Sequence, residues 1–215
     1  MTTGHDSLAR DGYLIARNLL DAEEMATLQS IASRAFAAAD AGIGSPIVAQ
    51  SVHGWGGFVL PSLAEIGCDF DIAALIVQRA KPLIGPCRLL PERSLFRRVR
   101  LGKTVIWHID VDTGPKTYDQ CMNVWVPLAS VGKSQPSLEL IQGSHRVMRL
   151  EPPAETANRE PEWVDEKFAH SFREIPQLEP GDALIFDHYT MHRTQIMNDY
   201  SGVERVSGEF RVTPC

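Results

Sequence analysis

A chain of 215 residues with 44% hydrophobic and 22% charged residues has the composition of an ordinary globular protein, which excludes a disordered or collagen-like chain and is long enough to bury a sizeable core. The longest aliphatic run, Ile72 to Val77, is far short of the roughly 20 residues a bilayer helix needs, and the first ten residues lack the apolar stretch of a secretion signal, so a soluble cytoplasmic protein is expected. A net charge of -6, with basic residues scattered apart from Arg93, Arg97, Arg98, Arg100 and Lys103, excludes the broad basic footprint of a nucleic-acid binder and suits a small anion better.

In chain order, Asp21-Ala-Glu-Glu24 offers an N-cap carboxylate and a glutamate three residues on. Met25, Leu28, Ile31, Ala32, Ala35 and Phe36 follow at helical spacing, which predicts an amphipathic helix ending near Ala41-Gly42. Gly42, Gly44 and Pro46 then open a loop running into the glycine-rich stretch His53-Gly-Trp-Gly-Gly57. A second helix is expected from about Phe70 to Ala80, stopped by Pro82. Thereafter the sequence breaks into short β-rich runs: Leu95 to Leu101, Thr104 to Asp110, Cys121 to Leu128, Leu138 to Ile141, Ala183 to Asp187 and Val206 to Val212. Residues 151 to 177 read as an excursion with a short helix around Glu162 to Ala169. Glu179-Pro-Gly-Asp182 has the Pro-Gly order of a type II turn feeding a buried strand. No repeat or linker divides the chain, so a single domain spanning residues 1–215 is expected, mainly β, as a sandwich or jelly roll. The four cysteines, Cys68, Cys87, Cys121 and Cys215, have neither metal-ligand spacing nor the density of a disulfide framework, which fits a reducing compartment.

Chemistry concentrates in Val105-Ile-Trp-His108-Ile-Asp110, because residues i and i+2 of a strand share a face and could hold one metal together. One such pair is no more than chance in a chain with seven histidines. A second histidine at a strand edge, His192 in Phe186-Asp-His-Tyr-Thr-Met-His192-Arg, would complete two histidines and a carboxylate. That set leaves positions of an octahedral Fe(II) open for a bidentate cosubstrate and for O2, unlike a closed zinc site. His188 has the same parity as His192 and competes for the role; His192 is preferred because it lies farther from the buried strand and precedes a cationic segment. In that segment, Arg205 and Ser207 share a strand face and could grip a carboxylate with a guanidinium fork and a hydroxyl.

With these features on separate short strands, the chain resembles the phytanoyl-CoA dioxygenase-like family of Fe(II)/2-oxoglutarate oxygenases. The stretches that carry the resemblance are Asp11-Gly-Tyr-Leu-Ile-Ala-Arg-Asn-Leu-Leu20, Trp107-His-Ile-Asp110, Val124-Trp-Val-Pro-Leu128, Ser137-Leu-Glu-Leu-Ile-Gln-Gly-Ser-His-Arg146, Pro180-Gly-Asp182, and His192 followed by Asn198 and Arg205. The resemblance implies a double-stranded β-helix (jelly roll) with N-terminal supporting α-helices. It implies His108, Asp110 and His192 as Fe(II) ligands, and Arg205 as the partner of the far carboxylate of 2-oxoglutarate, with Arg211 as its alternative because the spacing from His192 is slightly long. It places the strand carrying Asn123 and Trp125 beside the cosubstrate, although core packing explains Trp125 equally well. The implied activity is hydroxylation of a small-molecule metabolite with O2, releasing succinate and CO2. Desaturation, cyclisation or epimerisation, or a metal-holding binding module without turnover, are the alternatives. Arg97 and Lys103 could meet an anionic oxygen, and His53 and the 151–177 excursion are candidate substrate covers. His145 reads as a structural residue. Substrate identity and oligomeric state are left open.

Overall fold

The computed structural model describes residues 4–42, 47–48, 55–99, 105–110, 120–151, 159–197 and 204–215. Helix α1 (Gly4–Asp11) leads into strand β1 (Tyr13–Ala16) and then helix α2 (Ala22–Asp40). Asp21 caps α2 as its sequence requires: its carboxylate accepts from the Glu23 and Glu24 amides, while the Glu24 carboxylate accepts from the Asp21 amide. The buried residues of α2 are Met25, Leu28, Ile31, Ala32, Ala35 and Phe36, the six that the spacing predicts. Strands β2 (Ile47–Val48) and β3 (Trp55–Val59) follow, then helix α3 (Ile72–Ile84) and strands β4 (Cys87–Leu89) and β5 (Leu95–Val99). Two expectations are corrected here. The glycine-rich stretch is not all loop, since residues 55–59 pair with β5. Pro82 does not stop the second helix: it sits in the last turn, where one missing donor costs a single hydrogen bond, and Ile84 beyond it is buried in the core.

The remaining elements are β6 (Met122–Pro127), β7 (Leu138–Ile141), α4 (Ser144–Leu150), α5 (Pro161–Lys167), β8 (Arg173–Glu174), β9 (Ala183–Asp187), β10 (His192–Thr194) and β11 (Arg205–Pro214). They form two antiparallel sheets. The larger runs β1-β9-β6-β11-β5-β3-β2, with β4 pairing the end of β11, and the smaller runs β10-β7-β8. Period-two alternation gives the large sheet two chemically different faces. Phe58, Phe96, Val124, Val126, Ile185, Phe210 and Val212 pack with α2 and α3 in the main apolar core. At about 1.5–3 kcal/mol for each fully buried large aliphatic or aromatic side chain, this layer supplies much of the fold's stability. The opposite face carries Arg97, Asn123, Trp125, Phe186, Arg205 and Glu209, which line a cavity together with Leu138, His192 and Thr194 of the small sheet. The architecture is the expected jelly roll with supporting N-terminal helices. None of the described helices is long and apolar enough to cross a membrane.

The Pro180-Gly181 turn fixes how β9 enters the large sheet. Gly181 has φ +100°, the Asp182 amide donates to the Glu179 carbonyl at 3.0 Å, and the buried Asp182 carboxylate accepts from the Asn18 and Glu179 amides and from Arg17. A Cβ on Gly181 would lie 2.7 Å from the Leu20 carbonyl oxygen, itself backbone held by the Leu20 amide to Gly181 carbonyl bond. Gly181→Ala is therefore expected to destabilise the protein by about 2 kcal/mol or more, from the positive φ and the clash together. Urea unfolding of the two proteins checks this; an unchanged midpoint would show that the turn relaxes freely.

Candidate metal and cosubstrate site

A strand is expected from Thr104 to Asp110, yet the described part makes one isolated antiparallel bridge, His108 to His192, with amide-to-carbonyl bonds of 2.9 and 3.0 Å in the two directions. Flanking bonds complete the attachment: Thr194 N–H to the Val105 carbonyl at 3.0 Å and Asp110 N–H to the His188 carbonyl at 2.9 Å. Side chains still alternate here without a ladder: Trp107 and Ile109 join an apolar cluster, while His108 and Asp110 line the cavity, as parity requires.

They point into the cavity between the sheets. His108 Nε2 lies 3.8 Å and His192 Nε2 3.9 Å from the same Asp110 oxygen, Oδ1, and the two imidazole rings are 4.1 Å apart. Among the described residues this is the group of metal-type donors that converges, all ligand atoms lying within 4.8 Å of one another. Cis ligands on a metal with bonds of about 2.1 Å stand roughly 3 Å apart, so a small inward movement closes the set. Each histidine is oriented through its other nitrogen: Nδ1 of His108 meets the Ile106 carbonyl at 2.8 Å and Nδ1 of His192 meets the Thr190 carbonyl at 2.9 Å. With Nδ1 donating to a carbonyl, Nε2 is left as the lone-pair nitrogen facing Asp110.

The electrostatics favour the ligand-ready forms. Burial, aided by the facing His192, pushes His108 down to about 3, and burial lowers His192 as well. Burial opposes ionisation of Asp110, but the Arg211 guanidinium and the surrounding histidines outweigh it and hold the carboxyl well below its ordinary range. Neutral imidazoles beside a carboxylate are the states a metal requires.

His188, the competing histidine, is buried at 1% exposure, and its Nε2 has no hydrogen-bond partner among the described residues. It lies near Asp110, whose amide its carbonyl accepts, yet it is not among the convergent donors. Burial, and then Arg211, drive it down to about 3.

Strand β11 brings Arg205, Ser207, Glu209 and Arg211 to one face by alternation. Arg205 is 2% exposed, stacks over the Trp125 ring at 5.4 Å and donates toward the Ser137 carbonyl at 3.4 Å, in the same cavity as the three convergent donors. Arg211 instead sits 3.0 Å from Asp110 Oδ1. Asn123, opposite Arg211 in the β6–β11 register, reaches Asp110 Oδ2 at 3.4 Å. Glu209, on the same face of β11, is held by Arg97 at 2.5 and 2.8 Å in a buried fork, and Glu204 lies 3.6 Å from Arg98. Arg97, which could meet an anionic oxygen, lines the cavity and pairs there with the Glu209 carboxylate. Its pairing with Glu209, and that of Arg211 with Asp110, escaped the sequence reading. Parity on β11 was the available signal, because the period that pairs Arg205 with Ser207 carries on to Glu209 and Arg211.

The donor chemistry around the cavity suits an anionic cosubstrate. Trp125 Nε1 on its wall, Ser137 Oγ on the residue whose carbonyl Arg205 approaches, and Ser207 Oγ two residues along β11 from Arg205 are buried donors with no hydrogen-bond partner among the described residues. Unmet buried polar atoms are costly, and a set of them beside a buried guanidinium is what a bound dicarboxylate would satisfy. Of the other candidates, His145 packs under Gly12 with Nε2 at 3.2 Å from the Ala9 carbonyl, a structural role. Lys103, His53 and Asn198 lie outside the described residues, as does part of the 151–177 excursion. Its described part carries α5 where a short helix is expected, and α5 packs Val164 against Trp107 and Ile109 on the outer side of the small sheet.

Comparison with known proteins agrees with this architecture. The epimerase SnoN in complex with Fe3+, alpha ketoglutarate and nogalamycin RO superposes with a TM-score of 0.70 at 19% identity, covering 97% of this chain and 81% of that one. EctD from S. alaskensis with 2-oxoglutarate and 5-hydroxyectoine gives 0.65 at 19% identity, covering 97% and 74%. HygX from Streptomyces hygroscopicus with nickel, 2-oxoglutarate and hygromycin B gives 0.62 at 14% identity, covering 96% and 84%. No curated protein sequence matches significantly. At these identities the structures share a fold, but a sequence-family match extends over residues 8–196, taking in both histidine-bearing segments and the turn between them; this chain belongs to the phytanoyl-CoA dioxygenase (PhyH) family.

Proposed function

We propose that this protein is an Fe(II)- and 2-oxoglutarate-dependent oxygenase of small molecules, with His108, Asp110 and His192 as the metal ligands and Arg205, helped by Ser207, Asn123 and Trp125, as the cosubstrate site. The observation that carries it is the convergence of two neutral imidazoles and one carboxylate on a cavity that also holds a buried arginine. A plain metal-binding module has no need of that arginine. When bound, Fe(II) and 2-oxoglutarate supply oxidation of an unactivated C–H bond at the expense of O2, with succinate and CO2 as coproducts.

The protein's own part is positioning and exclusion of water. Thr190 and Ile106 carbonyls set the imidazole tautomers, Arg211 and Asn123 hold the Asp110 carboxylate, and Arg205 offers a cation to the carboxylate remote from the metal. Trp125, Phe186 and Leu138 wall the cavity and lower its polarity, which strengthens these charged contacts. The similarity to the epimerase SnoN and the carbocyclase SnoK of nogalamycin biosynthesis favours keeping ring closure and epimerisation beside hydroxylation as outcomes. Product mass separates them, because hydroxylation alone adds an oxygen atom. One apolar cluster joins the large sheet to α2 and α3 and a second joins it to the small sheet, in keeping with one domain, and four free cysteines suit the cytoplasm.

Anaerobic titration of the apo-protein with Fe(II) and then 2-oxoglutarate tests the proposal. A visible charge-transfer band of the chelated keto acid is expected. Tight metal binding with no band and no 2-oxoglutarate-dependent uptake of O2 would move the reading to a binding module.

A further inference from the structure

Alternation along the two segments that meet at the His108–His192 bridge sends the imidazoles inward and their chain neighbours outward. Trp107 and Arg193 therefore face each other on the far side of the small sheet. The Arg193 guanidinium lies 4.4 Å over the Trp107 ring, and Arg173 approaches the same ring at 5.5 Å. Trp107 is 1% exposed, packed with Ile109, Ile141 and Met191. Arg193 is fixed in turn by Glu139, its cross-strand partner on β7, through a bond of 2.7 Å; that carboxylate is buried and also lies 3.8 Å from Arg173. The stack is thus held by a charge network that touches neither the cavity nor the metal donors.

We propose that Arg193, seated by Glu139 and stacked on Trp107, is a positioning residue for the metal site: it pins the 105–110 segment to β10 from outside and so sets the separation of the His108 and His192 donors. This rests on the reading of those histidines as metal ligands. The physical need is clear from the backbone. Two of the three donors sit on a segment joined to the small sheet by an isolated bridge and a few flanking bonds, not by a cooperative ladder. A cation–aromatic contact between the half-buried Arg193 and the buried Trp107, the residues adjacent to the two histidines, limits the sliding and twisting that a single bridge allows. Groups that orient metal ligands, when removed, lower metal affinity by roughly ten- to hundredfold.

The experiment compares wild type with Arg193→Met, which keeps an apolar stem of similar reach, and with Arg193→Lys, which keeps the charge. Co(II) affinity is read by calorimetry, thermal unfolding on the apo-proteins, and amide exchange by mass spectrometry over residues 105–110. The Met variant is expected to bind Co(II) about tenfold more weakly. Its exchange should rise in that segment alone, and Lys should recover part of the affinity. Equal Co(II) affinity in wild type and the Met variant overturns the proposal, and so does a loss of affinity accompanied by faster exchange throughout the protein, which marks a merely structural role. Should the Met variant fail to fold, Trp107→Phe, which keeps the ring and weakens the cation contact, is expected to cost about threefold in Co(II) affinity, and an unchanged affinity there overturns the proposal equally. A wild type that binds no Co(II) at all rejects the ligand reading itself, and the positioning role with it.

Discussion

His192→Ala is expected to lower Fe(II) affinity by at least hundredfold and to abolish the keto acid charge-transfer band, while His188→Ala changes Fe(II) affinity by less than about threefold; a structural site contributes its metal affinity ligand by ligand, and only a true ligand carries that loss. The two histidines are a fair contest. Both are buried, both have lowered proton affinity, and both lie near Asp110. Geometry separates them: His192 Nε2 faces Asp110 Oδ1 at 3.9 Å and its ring lies 4.1 Å from that of His108, whereas His188 contributes its backbone carbonyl to the Asp110 amide. The His192 ring also stacks 4.7 Å from Phe186, so its removal leaves a hole in the cavity wall, and apo-protein unfolding must be measured alongside. His192→Gln keeps most of the volume and should lose the metal nearly as completely. If the His188 variant lost Fe(II) and the His192 variant kept it, the ligand set would be His108, Asp110 and His188.

What the sequence made legible is local or periodic. The capping box at Asp21 and the α2 apolar face need only the residues within one helix, and the structure returns both to the residue. The Pro180-Gly181 turn and β9 follow from four residues of turn chemistry and a short apolar run. Parity carried the site, since His108 with Asp110 and Arg205 with Ser207 share faces wherever the backbone is extended. The misses are those whose cause lies far along the chain. Strand β1 is recognisable as a strand because it pairs with β9, and β3 because it pairs with β5, so the glycines of Trp55 to Val59 argue for a loop until the partner is known. The run expected as a strand from Thr104 to Asp110 has strand character, yet its described part, residues 105–110, makes a single isolated bridge, to His192. Buried ion pairs are the clearest case. Nothing near Arg97 in the sequence announces Glu209, and a reading by composition puts both at the surface, where most such residues lie.

The second large effect concerns the cation that 2-oxoglutarate meets, where spacing left Arg205 and Arg211 both open. Arg211 is 3.0 Å from Asp110 Oδ1, the oxygen facing both histidines, so its charge is committed to the Asp110 carboxylate. Arg205 lies deeper, 2% exposed, against the Trp125 face and near the partnerless hydroxyl groups of Ser137 and Ser207. Truncating one member of a buried, hydrogen-bonded charge pair costs about 3–5 kcal/mol, which is roughly two to three and a half orders of magnitude in affinity. Arg205→Leu is therefore expected to raise the 2-oxoglutarate concentration for half-maximal turnover and for half-formation of the charge-transfer band by about hundredfold, with Fe(II) affinity held within about threefold. Arg205→Lys keeps the charge but not the planar fork, and should fall between them at about tenfold. Arg211→Leu should show the opposite pattern: Asp110 loses its strongest partner, so metal affinity changes more than the 2-oxoglutarate requirement. These constants are read from paired titrations, Fe(II) alone and then 2-oxoglutarate at saturating Fe(II). An Arg211 variant that demanded more 2-oxoglutarate while the Arg205 variant did not would reverse the two assignments. Neither arginine mattering for 2-oxoglutarate would leave the buried cation beside Trp125 as a structural group, and with it the argument that separates an oxygenase from a metal-holding barrel would fail.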